Sequence, residues 1–225
     1  MWFGGSMMII DIEGTDGSGK KTQTDLLYDK LVSLGKKCLK ISFPNYDSPS
    51  SAPVKMYLGG ELGNSSSCLN PYQASSLFAV DRLITLKKID LNAYDFVLFD
   101  RYVPSNMIHQ STNLKSLKEM DDFLNFIDDF EYNKLELPRP DITIFLNVPV
   151  EVSFRLAKER INLKNGLDKD ILENMEHLER AYNSANYVAR KFNWLTIDCV
   201  DNLNNLKSVQ AIHNEILNKL PIKNL

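Results

Sequence analysis

The stretch that most constrains this chain is Ile9-Ile10-Asp11-Ile12-Glu13-Gly14-Thr15-Asp16-Gly17-Ser18-Gly19-Lys20-Lys21-Thr22. An apolar run gives way to glycines at 14, 17 and 19, and a lysine then opens a segment with helical periodicity. The order strand, Gly-rich loop, helix lets backbone N–H groups close around a phosphate, and the helix N-terminus adds its positive dipole end. From Gly14 to Lys20 the spacing is G-x-x-x-x-G-K, which carries a lysine to the β- and γ-phosphates of a nucleotide. The phosphate loop is therefore read over Gly14, Thr15, Asp16, Gly17, Ser18, Gly19, Lys20, Lys21 and Thr22. The hydroxyl residue that usually follows the lysine is displaced: Lys21 stands there and Thr22 comes one later. An ammonium cannot ligate a metal.

The rest of the chain says which phosphate chemistry this is. At 225 residues it is long enough for one full α/β core. Its net charge of −3 argues against a bulk nucleic-acid or membrane-surface binder. The apolar runs are strand-sized, far short of a membrane span. Cys38, Cys68 and Cys199 have no metal spacing and read as reduced thiols, which points to the cytoplasm. Residues 1–7 lack the basic start and apolar core of a signal peptide and read as a tag or upstream extension.

Strands are expected at Met8–Ile12, Cys38–Phe43, Tyr94–Arg101, Asp141–Asn147 and Trp194–Asp198. Helices are expected over Thr22–Leu34, Pro71–Lys88, Lys115–Tyr132, Glu151–Leu163, Asp170–Lys191 and Leu206–Leu220. Gly35 reads as the C-cap of the first helix, with Leu26, Leu27, Leu31 and Leu34 on its buried face. Asn45–Ser51 and Gly59–Asn70 read as loops, the serine run in the latter as a flexible linker. In Lys115–Tyr132, Leu117, Met120, Leu124 and Ile127 fall on one side, and the acids opposite read as a solvated face. Strands alternating with helices behind a phosphate loop imply the α/β P-loop NTPase fold: a five-stranded parallel sheet with helices on both faces, in one domain spanning residues 1–225. The strand ending at Asp100 suits an acid facing a nucleotide-bound metal.

Six blocks then carry a resemblance: Glu13-Gly14-Thr15-Asp16-Gly17-Ser18-Gly19-Lys20, Phe43-Pro44, Phe78-Ala79-Val80-Asp81-Arg82, Asp100-Arg101-Tyr102-Val103-Pro104-Ser105-Asn106, Leu137-Pro138-Arg139-Pro140-Asp141 running into Leu146-Asn147-Val148-Pro149, and the acids Asp170 and Glu173. In this order they resemble thymidylate kinase, a P-loop nucleoside monophosphate kinase, from about Met8 to Leu220. The resemblance implies transfer of the γ-phosphoryl of ATP to dTMP with Mg²⁺, in a cytoplasmic homodimer of the dTTP supply. It implies that Lys20 and the loop amides hold the donor and that Arg101 forks onto the acceptor phosphate, as a guanidinium does bidentately. It further implies that Phe78 stacks on thymine, Arg82 and Asn106 meet the base, Phe43 and Pro44 line the pocket, and Asp16 sits near the sugar 3′-OH and the metal. A mobile lid is implied at about 155–170. With no arginine inside the loop, the lid supplies the catalytic cation, Arg160 first and Arg155 second.

Three departures from the family pattern stand out. Lys21 leaves the metal to Asp16, Glu173, phosphates and water. Asn45 takes the place of a common arginine. His109 stands where many members carry Tyr or Phe beside the sugar 2′ carbon: by size it excludes a ribose hydroxyl, by its nitrogens it accepts one, and Gln110 is within reach of the same pocket. Other readings are a kinase for another nucleoside or nucleotide, a degenerate P-loop protein because of Lys21, and a GTP switch. The last lacks a guanine-reading N-K-x-D, since Asn133-Lys134-Leu135-Glu136 ends in Glu.

Overall fold

The computed structural model describes residues 7–63, 68–155 and 171–222, with side chains from residue 175 onward in the last stretch. Apolar runs flanked by turn residues form five strands: β1 (Met8–Gly14), β2 (Cys38–Ser42), β3 (Phe96–Asp100), β4 (Ile142–Asn147) and β5 (Leu195–Asp198). They make one sheet in the order β2-β3-β1-β4-β5, and every neighbouring pair is parallel. β1 is central, with Ile10 opposite Leu98 on one side and Ile142 on the other.

Parallel neighbours need crossovers, and helices supply them. These are α1 (Lys20–Ser33), α2 (Ala52–Leu58), α3 (Pro71–Leu86), α4 (Val103–His109), α5 (Leu117–Ile127), α6 (Ile171–Lys191) and α7 (Val209–Lys219). Residues alternate across a strand with period two. In β1, Ile10 and Ile12 therefore enter a core with Leu27 and Leu31 of α1 and Ile212 and Ile216 of α7. Ile9 faces the opposite core, with Val97, Phe99, Phe123, Leu124 and Val188. The result is helices on both faces of a five-stranded parallel sheet.

Local chemistry sets the boundaries. Gly35, at φ 76°, closes α1: its N–H donates to Val32 O at 2.9 Å and that of Lys36 to Leu31 O at 3.2 Å, a Schellman arrangement. Leu34, expected in the core, lies outside it and is exposed. Asn70 and Gln73 form a capping box at the start of α3.

Several expectations are revised. The stretch 52–58, unassigned between two loops, is helical, and so is 103–109 behind Tyr102. Lys115–Tyr132 is not one α-helix. α5 stops at Ile127 and residues 128–134 wind as a π-helix. The i→i+5 winding breaks the 3.6-residue period, and the acidic face is consequently not all solvated: Glu131 is fully buried. Leu117, assigned to the apolar side, is 65% exposed. Residues 64–67, which hold the serine run, lie outside the described residues, as does most of the expected lid.

Candidate active site

The loop after β1 is shaped by close approach. A Cβ on Gly14 would lie 2.4 Å from Ser18 Oγ and 3.0 Å from the carbonyl oxygen of Leu146, so no side chain fits there. Gly19 caps α1 at φ 88°, a left-handed conformation that favours glycine, and contributes no side-chain cap. The first turn of α1 also carries no acid, so its free amides and dipole face the loop unopposed. Ser18 Oγ is buried and unpartnered among the described residues. Lys20 turns back into the loop and donates to Gly14 O and Thr15 O, both at 2.8 Å. Burial, then the charge of Arg101, lowers its pKa to about 8. Free amides, an orphaned hydroxyl and a buried ammonium fit the phosphates of a nucleoside triphosphate. Lys21 points away, 80% exposed, and pairs with Asp25 at 2.6 Å, which also pairs with Lys40. Thr22 is exposed.

Beside the loop opens a cleft of about 400 Å³, a size suited to a nucleotide. Its lining includes Asp16, Phe43, Pro44, Phe78, Arg82, Arg101, Asn106, His109 and Gln110, all singled out from the sequence. The Phe43–Pro44 peptide is cis. Arg101 follows β3 at φ 70°, a conformation L residues avoid, and such backbone strain concentrates at functional positions. Glu13 fixes this turn: fully buried, it accepts from Tyr102 N at 3.0 Å and from Ser105 Oγ at 2.8 Å. Burial raises its pKa, against the pull of Arg101 and Lys20.

The Arg101 guanidinium lies between Asp16, with which it pairs through Nη2, and His109, whose Nε2 is 3.0 Å from Nη1. A guanidinium only donates, so His109 Nε2 accepts and the ring proton sits on Nδ1. Burial, then the Arg101 charge, pushes the His109 pKa down to about 3, which keeps the ring neutral. Burial would raise Asp16, but Arg101, His109 and Lys20 outweigh it and bring its pKa to about 2. Asp16 is thus an ionised carboxylate, 64% exposed at the cleft mouth.

At the far end of the cleft, Phe78 of α3 meets Tyr57 of α2 edge to face, with ring centroids 6.3 Å apart. Arg82 is fully buried and held by Glu131 from the π-helix: Nε to Oε2 at 2.7 Å and Nη2 to Oε1 at 2.6 Å. Its Nη1 donates to Tyr102 O at 3.3 Å. Asn106 Nδ2 donates to Glu131 Oε1 at 3.0 Å and to Ser75 O at 3.2 Å.

The cleft also takes Tyr46, Tyr57, Leu58, His177 and Arg180, which sequence reasoning did not single out. Val54, Tyr57 and Leu58 had a usable signal, the i, i+3, i+4 spacing of a helix face behind Pro53. His177 and Arg180 share a face of α6 by the same rule. Arg155 is exposed at the end of helical residues 150–155 and is not among the cleft lining. Arg160 and the side chain of Glu173 lie outside the described residues. Among the described residues no three His, Cys, Asp or Glu side chains converge on a metal site. Asp16 is ionised and exposed, and a carboxylate of that kind has the chemistry of a ligand to a divalent cation.

A parallel sheet with a phosphate loop at its central strand, and an arginine-bearing cleft beside that loop, defines a P-loop kinase that phosphorylates a small nucleotide. The comparisons agree. The family model "Thymidylate kinase" matches residues 12–212. A thymidylate kinase of Mycobacterium tuberculosis (strain CDC 1551 / Oshkosh) is 30% identical over 176 residues, 77% of this chain and 81% of that one. A probable thymidylate kinase of Methanocaldococcus jannaschii is 32% identical over 215 residues, 95% of each chain. A thymidylate kinase of Schizosaccharomyces pombe is 28% identical over 208 residues, 89% of this chain and 88% of that one. The chain belongs to the thymidylate kinase family.

Proposed function

We propose that the chain transfers the γ-phosphoryl of ATP to dTMP, giving dTDP, with the Gly14–Lys20 loop as donor site and the adjoining cleft as acceptor site. The observation that carries this reading is the placement of Arg101. A strained backbone, Asp16 and His109 together aim a permanent cation into the cleft next to the phosphate loop. Such a cation suits a phosphate on the acceptor: Asp16 engages Nη2 and His109 faces Nη1, and a guanidinium carries five N–H donors in a fork that matches phosphate oxygens.

The chemistry of phosphoryl transfer is mainly alignment and charge neutralisation. Lys20 and the α1 amides hold the donor phosphates, and Arg101 draws the acceptor phosphate toward them. Asp16, ionised at neutral pH, would orient the sugar 3′-OH and share a Mg²⁺ ion with the phosphates, and Glu173 joins it on the family resemblance alone. When bound, that ion neutralises charge on the β- and γ-phosphates. Phe78 offers a face to the base, and Phe43 with Pro44 walls the pocket. The catalytic cation of the lid, Arg160 or Arg155, rests on the family resemblance. So does the homodimer, which light scattering checks. Among the described residues no helix is long and apolar enough to cross a membrane, and a cytoplasmic location is in keeping with that.

The test is ADP release with ATP·Mg²⁺ and a panel of dTMP, its ribose analogue, dUMP, dCMP, dGMP and thymidine. Preferred turnover of dTMP is expected. Equal use of thymidine would count against an acceptor-phosphate role for Arg101, and no turnover of any acceptor would defeat the reading.

A further inference from the structure

We infer that Glu131 is a specificity-determining positioning residue: by holding Arg82 and Asn106 together it fixes the base end of the cleft as a donor beside an acceptor, the pattern that takes thymine and rejects cytosine. The inference rests on the dTMP reading above and deepens it. A carboxylate paired with a guanidinium presents only acceptors, and the carbonyl of Ser75 likewise only accepts. Both face the same end of the Asn106 side chain, at 3.0 and 3.2 Å. That end must therefore be the NH₂ group, and both its hydrogens are engaged. Asn106 lines the cleft, and among the described residues its Oδ1 has no protein partner, so what it offers a ligand is an acceptor.

Arg82 is oriented by the same carboxylate. Three of its N–H groups are engaged, by Glu131 and Tyr102 O, and a guanidinium that keeps free N–H groups can only donate. Thymine carries a carbonyl acceptor at position 4 beside an N–H donor at position 3. Cytosine carries the reverse, an amino donor beside a bare nitrogen. A buried polar site matched to one pattern leaves its groups unpaired against the other. Glu131 need not touch the base to set this outcome. It sits on the π-helix, fully buried, behind both residues that do.

The test compares kcat/KM for dTMP and for 5-methyl-dCMP, which differs from dTMP only in that donor–acceptor pattern. The proteins are the unaltered chain, Glu131→Gln, Glu131→Asp and Asn106→Ala. Glu131→Gln brings an NH₂ group into the cluster, so the preference for dTMP should fall at least about tenfold. Glu131→Asp keeps an acceptor-only group and should retain the preference while KM rises. Asn106→Ala, which leaves the Arg82–Glu131 pair intact, should also lose it. A purely structural role for Glu131 would lower both efficiencies equally and leave their ratio fixed; that result overturns the inference. If Glu131→Gln does not fold, an unchanged ratio in Asn106→Ala overturns it instead. Failure of the unaltered chain to use dTMP at all would be a failure of the proposed function, and is read separately in the first measurement.

Discussion

Arg101 is the residue on which the cleft's chemistry converges. Truncating it to alanine removes the only cation wedged between Asp16 and His109 among the described residues. Removing one partner of a desolvated, hydrogen-bonded charge pair costs about 2–5 kcal/mol. Arg101→Ala is therefore expected to cut kcat/KM for dTMP by about 10³-fold in the ADP-release assay, with the circular dichroism spectrum retained. His109 acts on Arg101 through one nitrogen and on the pocket through its bulk, and two variants separate these effects. His109→Phe keeps the bulk but loses the acceptor, so KM for dTMP should rise by about tenfold, the worth of one charge-assisted hydrogen bond, with discrimination against the ribose analogue kept. His109→Ala should lose both. Lys20 sets a pH limit. Its pKa is lowered to about 8, and only the ammonium attracts phosphate. The pH profile of kcat/KM for ATP reports groups on the free enzyme, so it should be flat below about pH 8 and fall above it. Asp16 and His109, at about 2 and 3, change charge too low to shape that profile.

At the scale of elements, β1 carries a cost in its middle. Asp11 is fully buried, and neither carboxyl oxygen has a partner among the described residues. Burial, then Glu13 and Asp100, raise its pKa well above the usual carboxylate value. The folded pKa thus exceeds the unfolded value of about 3.9. This group's contribution to stability is complete below about pH 4 and is lost as pH rises through the folded pKa. Asp11→Val should raise stability by about 1–3 kcal/mol at pH 8, and by less at pH 5. Urea unfolding at the two pH values checks this, and equal gains at both would count against it.

The strands and the phosphate loop were legible because buried parallel strands are continuous apolar runs and the glycine spacing has few other uses. Glu131 was not legible. A charged residue in an acidic stretch reads as solvated, and only the change from α to π winding after Ile127 turns it inward to meet Arg82. Tyr57 was missed although α2 carries the spacing of a helix face, because seven residues between two polar loops show that spacing only once. The cleft residues on β3, α3 and α4 were legible through the family motifs. Phe78 taken alone would have been assigned to a core.

For the molecule as a whole, the cleft draws on the phosphate loop, the ends of β2 and β3, and α2, α3, α4 and α6. A ligand that bridges so many elements should stabilise all of them together. At a dTMP concentration one hundred times its Kd the gain is about 2.7 kcal/mol, and for a chain of this size that is a Tm rise of about 5–10 °C. A thermal-shift titration measures it, and thymidine, lacking the phosphate, should give a smaller shift. The sheet order has a further consequence, for the chain as it is made. β1 leaves the ribosome well before its partners, which lie far downstream: Met8 pairs with Phe96, and Ile10 with Ile142. At about 5–20 residues per second of synthesis, the strand that bears the phosphate loop waits some seconds for its first neighbour and longer for its second. During that interval Ile9, Ile10 and Ile12 have no sheet to join. Those apolar residues stay without sheet partners while synthesis continues, and the nucleotide sites come into being together, only once β3 and β4 have been made.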